Sequence, residues 1–244
     1  MNSGLYAACA ALIARTQTLE VAANNLANVN TAGYKAQQVA FQSLLAKSGA
    51  ANLSPINRAI NDFAVLGGTV INRAAGNFES TGSEFDLAVE GAGCFAVQTK
   101  AGVRYTRDGR FQVSTQGALT TSSGDAVLGD QGPVRLPNGP LSVAPDGTIS
   151  VNGAVTGKLK MVEFAPGAQL RSEGGSYYSA PAGTERTAVN SSVRQGVIES
   201  SNVNPMEAAV GLVALQRHFE MLQRALSIFH SDFNRIAVED LPRV

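Results

Sequence analysis

The sequence predicts an α+β protein, with long N- and C-terminal helices packing as a coiled-coil-like pair around a β-rich middle domain of antiparallel sandwich or barrel-like form. Three observations predict it: an apolar heptad at each end, and a composition shift between them. Of 25 glycines, 17 fall between Gly91 and Gly196, with six of the nine prolines, while both ends are poor in glycine. The organisation expected is an N-terminal helix and signature over 1–35, a connecting segment over 36–80, a β-rich domain over 81–200 and a C-terminal helix over 201–244.

Leu5, Leu12, Leu19 and Leu26 recur every seven residues, with Cys9, Thr16 and Ala23 between them, the 3,4 alternation of an a/d stripe. The only charges on this helix are Arg15 and Glu20. A helix facing water on one side normally carries a charged face, so neighbours on several sides are expected. Asn28 to Gly33 supplies the turn and cap chemistry that ends it. At the other end Ala208, Leu212, Leu215, Phe219, Leu222, Leu226, Phe229, Phe233 and Ile236 alternate steps of four and three without a break. Asn204 and Pro205 suit the start of that helix, with Glu207 three residues beyond the cap.

The middle reads as short strands punctuated by turns. Phe85, Leu87 and Val89 alternate with less apolar residues, and Phe95 and Val97 resume after Gly91-Ala92-Gly93. Arg107-Asp108-Gly109-Arg110, between Tyr105 and Phe111, reads as a tight hairpin turn. Pro145-Asp146-Gly147 and Asn152-Gly153 bracket a strand over Thr148–Val151, and Leu159–Phe164 reads as another. Val39–Leu45 fits helix or strand, and Gly67-Gly68 reads as a loop.

Composition narrows function by exclusion. Nineteen basic and nineteen acidic residues cancel, leaving no electrostatic footprint for nucleic acid. No run reaches the 18 or so apolar residues that a membrane-spanning helix needs. Leu5–Ala14 is apolar, but no Lys or Arg precedes it and it continues into a regular helix, which argues against a cleaved signal peptide. Cys9 and Cys94 are too few and too far apart for a disulfide framework or a zinc site. His218 and His230 are twelve residues apart, not a metal-binding i, i+4 pair. Gly91-Ala92-Gly93 lacks the third glycine of a nucleotide loop, Asp125 and Asp130 sit in turn sequence, and Ser200-Ser201 have no histidine nearby. No catalytic residues, metal and no cofactor are therefore expected, and the chain reads as a non-enzyme.

The stretch from Ala23 through Asn24, Asn25, Leu26 and Asn28 to Gly33, Tyr34 and Lys35 resembles the N-terminal signature of the bacterial flagellar rod and hook axial proteins. Gly196-Val197-Ile198-Glu199-Ser200-Ser201-Asn202-Val203-Asn204-Pro205 resembles their C-terminal signature. Asp86–Gly91, Arg104–Gly109 and Ala144–Thr148 are similar to segments of the rod proteins' β domain, and Arg217–Met221 looks most like the proximal-rod members. The resemblance implies a structural subunit of the basal-body rod that polymerises through its terminal helices and transmits torque from motor to hook. It implies copies of itself and other rod proteins as partners, and export through the flagellum's own apparatus. Subunit contacts are then expected at Leu5, Leu12, Leu19, Leu26, Leu212, Leu215, Phe219, Leu222, Leu226, Phe229 and Phe233. Asn24, Asn25 and Asn28 suit either inter-helix hydrogen bonds or capping. Two alternatives stand beside this: a distal-rod or hook-like subunit, and a secreted glycan- or peptidoglycan-binding β domain oligomerised by helices.

Overall fold

The computed structural model describes residues 2–42, 65–165 and 167–239, with side chains over 12–40, 68–165, 167–228 and at 231. The chain divides into two compact units: Met1–Leu26, Gln38–Thr69 and Pro205–Val244 form one, Ala27–Gln37 and Val70–Asn204 the other.

The first unit holds helix α1 (Asn2–Ala27), the paired strands β1 (Gln37–Gln42) and β2 (Val65–Ile71), and helix α2 (Pro205–Glu239). Gly67 and Gly68 thus lie inside a strand rather than a loop, with Gly68 taking a positive φ of 103° that only glycine adopts without strain. Pro205 opens α2, where its missing N–H costs no helical bond, and Glu207 lies in the first turn beside the helix's positive pole.

The second unit is a body of antiparallel strands. Its short edge strand β3 (Phe78–Ser80) and strand β4 (Leu87–Glu90) precede β5 (Cys94–Thr99) and β6 (Gly102–Thr106). Next come β7 (Phe111–Val113), β8 (Leu119–Thr121), β9 (Ala126–Gly129) and β10 (Gly132–Pro133). A three-stranded meander follows, β11 (Leu141–Val143), β12 (Thr148–Val151) and β13 (Ala154–Lys158). The last strands are β14 (Met161–Phe164), β15 (Arg171–Ser172), β16 (Tyr177–Ser179), β17 (Glu185–Thr187), β18 (Ser192–Gln195) and β19 (Val197–Glu199). Ten of them join one sheet with the path β15-β16-β6-β5-β9-β8-β7, which bends into a half-barrel. Strands β18 and β19 return from the far end of the sequence to pair with β4 and β3.

β5 lies at the centre. Phe95 and Val97 face one apolar core with Leu87, Val89, Phe111 and Val127, while Cys94 and Ala96 face a second with Tyr105, Leu128, Val162 and Tyr178. A strand covered on both faces reads as a continuous apolar run, which Cys94-Phe95-Ala96-Val97 is. Phe95 and Phe111 meet edge to face with centroids 5.1 Å apart.

Two further expectations are overturned. The α+β class with a coiled-coil-like helix pair around a β middle is overturned. Only two helices occur among the described residues, and the fold is dominated by the antiparallel half-barrel. Heptad spacing reports which residues share a helix face, but not what covers that face. Of the seam side chains described on α1 and α2, Ala23 is exposed, the others are half-buried and none is buried. Nor is Arg107–Arg110 a hairpin turn. β6 pairs with β5 and β16, whereas β7 pairs with β8, so the chain crosses between different neighbours at this point. Asp108 holds the crossing locally, accepting from the Arg110 backbone N–H at 3.1 Å and from its guanidinium. That leaves Arg107 free to turn inward.

Candidate functional site

The β unit carries a buried cluster of charge where both ends of the chain enter it. Lys35, Arg107 and Glu199 have side chains 4%, 5% and 0% exposed. Lys35 Nζ donates to Glu199 Oε1 at 2.5 Å, and Arg107 Nη1 to Glu199 Oε2 at 3.1 Å. The Gly76 N–H adds a third donor to Oε1 at 2.8 Å. Two cations face one carboxylate, so their remaining donors need other acceptors. Backbone carbonyls supply them: Ala74 O for Lys35, and Val89 O and Gly91 O for Arg107. Every buried side-chain nitrogen and oxygen described has a partner, the condition under which buried ions do not unfold a protein.

Two segments meet at the cluster. The N-terminal segment leaving α1 donates the Gly33 N–H to Glu199 O at 2.7 Å, and the Ala36 N–H to Asn202 Oδ1 at 2.7 Å. Asn202 Nδ2 reaches Asn72 O and Ala74 O, so the C-terminal segment before α2 stitches both to the 72–77 loop. Tyr178 closes the other side, accepting from the Lys35 N–H and donating to Gly33 O. The approach is close enough to demand glycine. A Cβ on Gly33, whose φ is +66°, would lie 2.1 Å from the Asp108 nitrogen, and one on Gly76 would lie 2.0 Å from Ser200 O.

Burial sets the titration of this region. It lowers Lys35 from the usual lysine value, against the pull of Glu199. It also pushes the Tyr34 and Tyr178 phenols and the Cys94 thiol upward, while the Arg107 guanidinium beside Cys94 works the other way. The thiol is therefore kept neutral and has the character of core rather than of a nucleophile. Among the described residues no group of three His, Cys, Asp or Glu side chains stands together to hold a metal.

The residues expected at subunit contacts lie elsewhere. Leu12, Leu19 and Leu26 are half-buried on α1, and Leu212, Leu215, Phe219, Leu222 and Leu226 half-buried on α2. Asn24 is exposed, while Asn25 and Asn28 are half-buried; Asn28 Oδ1 accepts from the Thr31 hydroxyl at 3.2 Å and its carbonyl from the Thr31 N–H, a turn-capping role. The side chains of Leu5, Phe229 and Phe233 lie outside the described residues, as do residues 43–64 of the connecting segment. Beside the α2 seam, Met206, Val210, Val213, Met221 and Ile228 are at least half exposed. A groove of about 510 Å³ lined by Ala209, Val210, Val213, Ala214, Arg217, His218 and Met221 runs along that face.

Sequence reasoning missed the charge cluster, although Lys35, Arg107 and Glu199 all stand in the quoted signature stretches. The signal available was a lone Lys35 and a lone Glu199, of opposite sign, each embedded in an otherwise uncharged stretch.

Among the described residues of the β body, the buried ions are partnered and join the segments that lead to the two helices. Comparison with known proteins identifies the chain's family. The family model described as flagella basal body rod protein matches residues 5–35, the flagellar hook protein FlgE/F/G D1 domain matches 88–156, and the flagellar basal body rod FlgEFG protein C-terminal model matches 194–237. Lys35, Arg107 and Glu199 fall one in each of these three segments. A flagellar basal-body rod protein FlgF from Mesorhizobium japonicum is 35% identical over 226 residues, covering 90% of each chain. FlgF of Caulobacter vibrioides is 31% identical over 100% of each, and FlgF of Salmonella typhimurium 32% identical over 93% of this chain and 94% of its own. The chain belongs to the flagellar basal-body rod protein family, and is a structural subunit of the bacterial flagellar basal body.

Proposed function

We propose that this subunit polymerises through the apolar seams of its two terminal helices, with copies of itself and with other rod proteins, and so carries torque along the rod. The observation that carries the reading is the unfinished burial of those seams. Leu212, Leu215, Phe219, Leu222 and Leu226 stay half-exposed in the single chain, next to an exposed apolar row from Met206 to Ile228. At ~25 cal/mol per Å², covering such surface is a driving force that only neighbours can supply. Leu5, Leu12, Leu19 and Leu26 would line the α1 seam, with Phe229 and Phe233 extending that of α2. Asn24, Asn25 and Asn28 are assigned to hydrogen bonds between helices or to the α1 exit turn. The relatives named FlgF run at 31–35% identity and those named FlgG at 28–30%, which favours a FlgF-like, proximal-rod place. The work is mechanical: no catalysis, cofactor, nucleic acid or membrane insertion enters this reading. Export through the flagellar apparatus with the N-terminal helix retained completes it.

Leu222→Asp tests the seam. The variant should leave the β unit folded by circular dichroism and abolish sedimentable polymer and motility. Normal assembly of Leu222→Asp would end the seam assignment.

A further inference from the structure

The charge cluster is built from parts of unequal standing. Arg107 is anchored within the body, because Val89 O and Gly91 O hold its guanidinium whether or not either chain end is docked. Glu199 is delivered by β19, whose pairing with β3 sets Glu199 opposite Phe78, and the preceding β18 pairs with β4. The C-terminal segment is thus held by sheet hydrogen bonds as well as by its carboxylate. The N-terminal segment 28–36 has no strand in this unit. Its attachments to the body are Lys35 Nζ to Ala74 O, the Lys35 N–H to the Tyr178 hydroxyl, that hydroxyl to Gly33 O, and the Asn72 N–H to Ala36 O. Those to the C-terminal segment are the Gly33 N–H to Glu199 O, Lys35 Nζ to Glu199 Oε1, the Ala36 N–H to Asn202 Oδ1, and the Asn202 N–H to Tyr34 O. Four of those eight bonds are made with the C-terminal segment, the Lys35–Glu199 ion pair among them. A buried lysine lacking its carboxylate would be an unpaired ion in a dry site, which strongly disfavours docking.

We infer that Glu199 is the keeper of an ordered latch: the C-terminal segment docks first on Arg107, and only then can the N-terminal segment seat Lys35 beside it. The latch makes the docking of the N-terminal segment conditional on residues 164 positions further along the chain. A chain whose C-terminal segment is missing or displaced leaves its N-terminal segment loose. The device uses no residue of the helix seams, so it stands or falls independently of the polymer reading.

Amide hydrogen exchange by mass spectrometry on the full-length monomer reads this directly, since each segment's protection reports its own opening. In Glu199→Gln, exchange over 31–36 and over 197–200 should both accelerate by about a hundredfold, while β5 and β6 change by less than about tenfold. In Lys35→Met, Glu199 keeps Arg107 and the Gly76 N–H, so 31–36 should loosen while 197–200, whose amides are bonded to β3 and Asn77 rather than to the N-terminal segment, keeps wild-type protection. The double variant should loosen 31–36 no further than Glu199→Gln alone. Wild-type protection of 31–36 in Glu199→Gln, or equal release of both segments in Lys35→Met, overturns the order. If Glu199→Gln does not fold, Glu199→Asp keeps the charge while shortening its reach, and must show the same pairing of losses.

Discussion

The β body and the two helices of this subunit satisfy their side chains in opposite ways. In the body, Leu87, Val89, Phe95 and Val97 are fully buried and the ions Lys35, Arg107 and Glu199 are matched donor by acceptor. On the helices, the described seam leucines remain half in water. The same apolar chemistry is thus finished inside the chain in one region and left open in the other. The body completes its packing within its own unit; the helices leave apolar surface open, which the proposed polymer would cover.

Substitutions that act on one region and spare the other sharpen this contrast. The largest stability loss is expected for Phe95→Ala, which empties the middle of the core formed with Leu87, Val89 and Val127 and removes the edge-to-face contact with Phe111. It should cost about 3–5 kcal/mol, read as a lower urea midpoint with unchanged slope. Gly33→Ala follows. The left-handed backbone adds about 1–2 kcal/mol and the collision with the Asp108 nitrogen about 1–3 more, again by urea titration. Leu222→Ala should be the smallest, within about 1 kcal/mol of wild type in the monomer, while sharply reducing polymer yield in sedimentation. Equal destabilisation by Phe95→Ala and Leu222→Ala would erase the distinction.

Alkaline pH provides a further separation, because the shifted groups belong to the body. Burial holds the phenols of Tyr34, Tyr105, Tyr177 and Tyr178 and the Cys94 thiol protonated beyond their ordinary values. Above about pH 9–10 the folded chain therefore binds more protons than the unfolded one, and stability falls as pH rises. Lys35 opposes this. Its lowered value means that the folded state binds fewer protons there, so its burial cost is relieved with rising pH. Five groups act against one, and a pH series of thermal melts should show the melting temperature dropping through this range. A flat profile would mean that these groups are not buried in solution.

Much of the local structure was legible in the sequence, because turns are written in single residues. Asn152 takes φ 53° between β12 and β13, and Gly147 φ 84° between β11 and β12. The heptads located residues that share a helix face, but spacing cannot count layers, and the α+β picture gave the ends more weight than the strands bear out. The hairpin reading of Arg107–Arg110 failed for a related reason. An Asp-Gly pair marks a turn but does not name the strands on either side. The charge cluster stayed hidden because charged residues are exposed by default, and because Lys35 and Glu199 are partners over a separation of 164 residues.

The β12–β13 hairpin has a practical meaning. Its tip at Asn152-Gly153 is far in sequence from both seams and from Lys35, Arg107 and Glu199. Beyond it the strand Ala154–Lys158 is largely exposed, with Val155 71% accessible. Exposed hairpin tips accept inserted sequence readily. A short epitope placed between Gly153 and Ala154 would give the subunit a handle, by which its place and orientation in a growing rod can be followed with the proposed helix seams left as they are.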